Sequence, residues 1–361
     1  MKTKWTIPAI ILTMCVLLSS CSTGTSTNSV NNSSQKSSDI SVVDDVNRTV
    51  KIPSNITRAA VISRYNVEII RALGAIKSVA AVDDSMTKDS TYWPEFSEKD
   101  SFGGSSSPDY EKIASFKPQV FIISRDSNYK EAITKLEPFN IPVVVMTGWD
   151  NAKAVTEIEI AAKVFNRTNE SKKLVSFYND IHSKVTAIAK EVPQSDKKSV
   201  YWESIKSYST TVPGTSNSGW DSMITAAGGI NIYGDTKFAG KDSDPEYIVQ
   251  KNPDFIFKMV AGTKSGISGY IPPTADEFKS AAQDMISRSG FSKLKAVTNG
   301  SLYMVTSFSL GGLDKIIGEA YMVKWLYPDK SKDINPDQLL QTWLKTYQNV
   351  DAKKGYYYQV K

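Results

Sequence analysis

Cysteine and histidine are nearly missing from this chain, with two of the first and one of the second among 361 residues. Cys15 lies inside an apolar start and Cys21 at its end, so the rest of the chain holds no thiol. Disulfides, iron–sulfur clusters and thiolate metal sites are thereby excluded from the folded part. A single imidazole, His182, cannot build the nitrogen-rich sites that most zinc and transition-metal proteins use. Placed beside an apolar stripe, it reads as a partly exposed structural residue. A Ser–His–Asp hydrolase is disfavoured by the same scarcity. No G-x-S-x-G elbow or H-E-x-x-H pair appears. Carboxylate-pair chemistry stays open because acids are plentiful, but no enzyme is expected and no cofactor is called for. Dense Lys/Arg runs are also missing, and the net charge of +5 includes Lys2 and Lys4 of the start. Nucleic acid is therefore not an expected partner. Beyond Leu18 no segment is apolar enough to cross a membrane.

What is present begins with those lysines. They precede an apolar stretch, Trp5 to Leu18, that is too short to span a bilayer comfortably and has the flanks of a signal peptide. Residues 1–20 are expected to be that peptide. Leu18-Ser19-Ser20-Cys21 resembles a bacterial or archaeal lipobox, which implies a lipid on the Cys21 thiol. The protein is then extracytoplasmic and anchored to the cell membrane. Ser22 to Ser38 is Ser/Asn-rich and without periodicity, so it cannot bury a core. Residues 21–40 are read as a flexible polar tether, with a span of roughly 20–25 Å for about 17 residues.

From Asp44 on, short apolar runs alternate with helical patterns, the mark of an α/β fold. Expected strands are 59–63, 78–82, 120–124 and 142–147, then 199–203, 231–233, 254–259 and 302–306. The two sets look related. PDYEKIASFKPQVFII places Glu111 seven residues before Pro118, and DPEYIVQKNPDFIFK places Glu246 seven before Pro253. Pro108 and Pro245 suit the first turns of helices, and Gly74 and Gly228 suit left-handed helix ends. FGGSSSPDYE reads as a turn leading to a helix cap rather than a phosphate loop. Residues 41–150 and 193–361 are expected to be two α/β lobes. Leu174, Tyr178, Ile181, Val185 and Ile188 fall at helical spacing, so 151–192 should hold two connecting helices, broken near 166–169.

The ordered set of DDVNRTVKIP, the EIIRALGA helix, P-x-Y-E-K-I…KPQVFII, VYWES, AAGGINI, DPEYIVQKNPDFIFK and LYMV resembles the substrate-binding lipoproteins of ABC importers for iron–siderophore complexes, heme and cobalamin. The resemblance covers nearly the whole chain from about Val43, less sharply over the last hundred residues. It implies two Rossmann-like lobes joined by a long rigid α-helix, with the ligand in the cleft between them. It implies a permease dimer with its ATPase as partner, with Glu111 and Glu246 docking on the two permease subunits. A monomer is expected.

Ligands of open α/β sheets bind beyond the carboxyl ends of strands. The residues just past each expected strand give Arg64, Tyr65, Arg125, Trp149, Trp202, Tyr208, Lys258 and Phe308, and the loops YWPEFS and NSGWDS add Trp93 and Trp220. Three cations with several aromatics suit a large anionic chelate, since arginine offers a planar fork to oxygens and indoles offer broad faces. A ferric siderophore is the foremost expectation, with a corrinoid or heme as the alternative.

Overall fold

The computed structural model describes residues 39–361, apart from 216–217, 266–267, 307 and 309–314. The expected signal peptide, Cys21 and the tether up to residue 38 lie outside the described residues. The first described residues, Asp39 and Ile40, fall within the bounds expected for the tether and belong to a strand.

Strands β1 (Asp39–Val43) and β2 (Thr49–Pro53) form an antiparallel hairpin, with Ile40 opposite Ile52. Then come β3 (Ala59–Val61), β4 (Val79–Val82), the two-residue pair β5 (Gly103–Gly104) and β6 (Ser107–Pro108), β7 (Val120–Ile123) and β8 (Val143–Val145). Four of these make a parallel sheet in the order β4-β3-β7-β8. Every residue of β3, β7 and β8 is buried, as continuous apolar runs require when helices cover both faces.

A second sheet holds β9 (Ser199–Glu203), β10 (Ile230–Asn231), β11 (Phe255–Met259), β12 (Leu302–Val305) and β13 (Tyr357–Val360), in the order β10-β9-β11-β12-β13. Counted from the first strand of each sheet, the parallel strands of both run second, first, third, fourth. The lobe predicted to be used twice has one topology, and β13 adds an antiparallel edge to the second copy.

The eight expected strands are present, most of them shorter by one or two residues. Three features differ from expectation. The β1–β2 hairpin and β13 lie near the ends, where the alternation contrast is weak. The first-lobe helix Tyr110–Ser115 does not open on Pro108, which lies in β6. Its cap is Asp109, whose side chain accepts from the Lys112 amide at 2.9 Å. In the second lobe Pro245 does open its helix, behind the Asp244 cap.

Helices Ala154–Phe165 and Thr168–Lys190 follow β8. They are broken at Asn166, whose φ of +53° is a left-handed conformation that asparagine tolerates. The second has 23 residues and extends about 35 Å at 1.5 Å per residue. Leu174, Tyr178, Ile181 and Val185 form its buried stripe. Helix Lys315–Leu326 packs on it and is buried on nearly all sides. Glu319 of that helix accepts from Asn151 at 2.9 Å and pairs with His182 Nδ1 at 2.8 Å, which raises the imidazole pKa. Tyr178 in turn donates to Asn151. The histidine thus belongs to a polar clasp between the connector and the second lobe.

Candidate ligand cleft

In each sheet, chain order reverses between the first and third strands. An open α/β sheet places its crevice beyond the carboxyl ends of such a pair. In the first lobe the pair is β3 and β7, and a cleft of about 610 Å³ opens there. Residues 62–65 after β3, with residues 123–124 and 126–128 around the end of β7, form its floor and one side. The turn Ser105–Pro108 and Trp149 form its walls.

The floor is held by two buried polar side chains. Asn66 donates to the Ile62 carbonyl at 3.0 Å and to Ser124 Oγ at 3.4 Å, and accepts from the Gly148 amide at 2.8 Å. It thereby ties the ends of β3 and β7 to the loop after β8. Asp83 accepts from the Ser63 and Ser85 amides, both at 2.9 Å, and from Ser85 Oγ at 2.5 Å. Its bond to Ser63 holds that residue at φ +80°, a positive-φ conformation that costs a serine about 1–3 kcal/mol. Such strain collects at functional sites.

The loop after β8 approaches so closely that a Cβ on Gly148 would lie 2.7 Å from the Tyr65 carbonyl oxygen. Gly148→Ala is therefore expected to cost about 1–3 kcal/mol, the usual range for overpacking. It should also displace the Tyr65 backbone at the cleft floor. Chemical denaturation checks the first effect and ligand titration the second.

Three charged groups hold Trp149. Its Nε1 donates to Asp126 at 3.1 Å, the Arg125 guanidinium stands 5.1 Å from its ring centre, and Lys315 donates to its carbonyl at 2.8 Å. Lys315 reaches across from the second lobe. Its ammonium lies 5.4 Å from the Trp220 ring as well, and burial pushes its pKa down to about 8. Gly219 makes room for it, since a Cβ there would sit 2.2 Å from Nζ. On the opposite rim Arg64 donates to Tyr65 Oη at 2.9 Å and to the carbonyl of Ser268, also of the second lobe. Asp89 accepts from the Ser268 amide at 3.1 Å. The lining is first-lobe chain, while the second lobe bonds to two of its residues, through Lys315 to Trp149 and through Ser268 to Arg64.

Of the ten residues expected at the ligand, Arg64, Tyr65 and Trp149 come together on this cleft. The other seven do not line it, and the reasons are physical. Arg125 is bonded to Asp45 at 2.9 Å and to Asp150, so it backs Trp149 instead of facing the opening. Trp93 is fully buried under Arg71, whose guanidinium lies 3.9 Å from the ring. Trp202 is fully buried on Trp220, at a ring separation of 4.7 Å. Phe308 is buried among Tyr92, Tyr270 and Tyr356. Lys258 is buried against Glu203 at 2.9 Å and donates to the Ser204 carbonyl. Tyr208 lies under Arg288 in the second lobe, 4.6 Å from its guanidinium carbon. Each follows a strand or sits in a polar loop, and each found a partner within its own lobe or at the seam.

The family model for periplasmic binding proteins matches residues 60–307, more than half of the chain. This chain belongs to the periplasmic binding protein family. Among curated relatives, the molybdate-binding protein MolA of Haemophilus influenzae is 22% identical over 349 residues, covering 86% of this chain and 92% of its own. The petrobactin-binding protein YclQ of Bacillus subtilis is 23% identical over 328 residues, covering 87% and 95%. Among solved structures, the TroA-like periplasmic binding protein FepB of Veillonella parvula superposes with a TM-score of 0.73 at 19% identity, over 89% of this chain and all of that one. At such identities the superposition speaks for the fold alone.

Within this binding protein, Glu111 and Glu246 are both exposed in the first turn of their helices. Neither carboxylate takes part in an ion pair among the described residues. Sequence reasoning missed Asn66, Asp83, Gly148 and the Ser105–Ser107 wall. Asn66 carried a usable signal, since it is a polar residue just past a strand end and immediately before Val67, Ile69 and Ile70 of a buried helix face. Gly148 stands beside Trp149 in a tight Thr-Gly-Trp step, but nothing local names Tyr65 as the group it must clear.

Proposed function

We propose that this periplasmic binding protein captures a metal chelate, foremost a ferric siderophore, and delivers it to the permease dimer of an ABC importer driven by its ATPase. It does so outside the cytoplasm, as a monomer held to the membrane by lipid on Cys21. No catalytic role is proposed. The observation that carries the reading is the open, polar cleft of about 610 Å³ at the β3/β7 switch point, walled by Arg64, Tyr65 and Trp149. Clefts of about 300–1,000 Å³ hold drug-sized ligands. A bare oxyanion such as the molybdate of the Haemophilus relative would fill little of it, and the petrobactin-binding relative points toward a larger guest. Among the described residues no group of three or more His, Cys, Asp or Glu is placed to hold a metal ion, which favours a metal that arrives already chelated. A corrinoid or heme is the second reading, favoured by the aromatic faces of Tyr65 and Trp149.

Titration of intrinsic fluorescence tests this. Ferric siderophores, cobalamin or hemin should quench saturably, and Arg64→Ala or Trp149→Ala should weaken binding about tenfold or more, the loss of roughly 1.4 kcal/mol or more. Saturable quenching by free metal ions alone would overturn the chelate reading. Glu111 and Glu246 are proposed to dock on the two permease subunits. Glu111→Lys and Glu246→Lys should leave ligand affinity unchanged and abolish uptake in cells. Loss of affinity in these variants would place the two faces wrongly.

A further inference from the structure

The charge around the cleft is not the cationic one that strand-end residues suggest. Arg125 is neutralised by Asp45 and Asp150. Lys258 and Arg288 share Glu203 in the second lobe, at 2.9 and 2.7 Å. Lys315 is buried, with its ammonium on the Trp149 carbonyl. Among the described basic residues only Arg64 lines the cleft, and one of its nitrogens already donates to Ser268. The segments 216–217, 266–267, 307 and 309–314 bring no lysine or arginine, and their one charged residue is Asp314.

Against that single cation stand Asp83, Asp126 and Glu131 on the lining. Both oxygens of Asp83 accept from amide or hydroxyl donors. The other two acids differ. Asp126 accepts from Trp149 through Oδ1 and Glu131 from Asn128 through Oε2, at 3.1 and 2.7 Å. Their second oxygens, Asp126 Oδ2 and Glu131 Oε1, have no partner among the described residues. The remaining walls are hydroxyls and rings: Ser105 to Ser107, Tyr65, Tyr110 and Trp149. The Tyr110 phenol is pushed up by partial burial and by the Glu131 charge, so that charge acts inside the cleft.

We infer that the cleft selects a neutral or cationic chelate, bonded through hydroxyls and carried against Trp149, and excludes strongly anionic ones. The inference rests on the chelate reading above and narrows it. An ammonium arm on the ligand would lie near Asp126 and Glu131, where carboxylates and an indole face both favour a cation. A tris-catecholate would bring several negative charges to two carboxylates with one half-committed arginine to receive them.

Three ferric probes separate the possibilities on the full-length protein: ferrioxamine B, which carries an ammonium arm, its neutral ring analogue ferrioxamine E, and a triply anionic ferric tris-catecholate. The hydroxamates should bind at least about a hundredfold more tightly than the tris-catecholate at low salt, a difference that shrinks as salt rises. The double variant Asp126→Asn, Glu131→Gln is nearly isosteric and exposed, so it should fold. It should weaken ferrioxamine B about fivefold or more relative to ferrioxamine E and improve the tris-catecholate relative to both. Tightest binding of the tris-catecholate would overturn the charge inference while upholding chelate capture. An unchanged ranking in the double variant would also overturn it. Failure of all three probes alongside tight binding of a free metal ion would sink both readings.

Discussion

Replacing Glu203 by alanine is expected to lower the unfolding free energy by about 3–5 kcal/mol, the usual cost of breaking a buried ion pair from one side. Glu203 ends β9 and is fully buried. Its carboxylate accepts from Arg288 through two bonds, at 2.7 and 3.0 Å, and lies 2.9 Å from Lys258 Nζ. Tyr201 donates to it at 2.8 Å. Truncation would leave two poorly exposed cations facing each other without an anion. Burial works to raise the Glu203 pKa, but the Arg288 and Lys258 bonds outweigh it and hold the carboxyl below its ordinary range. The stability it contributes is therefore present above that range and is lost as pH falls through the lowered value. Urea denaturation at neutral pH gives the number, and a loss under about 1 kcal/mol would contradict this account of the pair. β9 and β11 are the second-lobe counterparts of β3 and β7, so among the described residues this ion cluster stands at the strand ends that correspond to the first-lobe cleft.

Glu157→Gln is expected to act in the opposite direction, and only at higher pH. Glu157 is fully buried in the first turn of the helix after β8, and accepts from the Thr147 amide at 2.7 Å. Burial first, and the neighbouring Asp45 charge second, push its pKa up to about 8. Asp45 moves the other way. Burial would raise it, but Lys153 at 2.6 Å, Thr147 at 2.6 Å and Arg125 hold it lowered. The two carboxyls are thus driven apart, one ionised and one protonated. The folded protein keeps the Glu157 proton while the unfolded chain releases it near the ordinary value of 4.5. Stability from this group is complete below that value and declines as pH rises toward about 8. A neutral glutamine carries no such dependence. The variant should match the parent near pH 4 and exceed it by roughly 4 kcal/mol at pH 8, given about 1.4 kcal/mol per unit. Denaturation midpoints at the two pH values decide this. A variant destabilised equally at both would mean that Glu157 is ionised in the fold.

How far these residues could be read in advance depends on the range of the interactions that place them. Strands such as VFII and VYWE announced themselves because burial on both faces demands unbroken apolar runs, and Asn166 marked the helix break through its tolerance of left-handed backbone. The equal Glu-to-Pro spacing signalled one α/β unit used twice, while the strand order within each sheet had no local signal. Site residues were harder. The rule of looking just after a strand gave Arg64 and Tyr65, which lie on the cleft, and also Arg125, Lys258 and Trp202, which do not. Whether a strand-end cation faces solvent or a carboxylate depends on Asp45 for Arg125 and on Glu203 for Lys258. Asp45 lies 80 residues from its partner, a pairing invisible to local pattern. Lys315 and Ser268, which fasten the second lobe to the rim, have no local signature either.

The claim on which the rest depends is that the ligand sits at the β3/β7 mouth of the first lobe. Diffraction from crystals of the protein loaded with a ferric chelate, measured at the iron absorption edge, would test it most directly. The account predicts one anomalous peak inside the cleft bounded by Arg64, Tyr65, Tyr110 and Trp149. A peak over the Glu203 cluster, or in the groove between Phe177 of the connecting helix and Leu339, would contradict it.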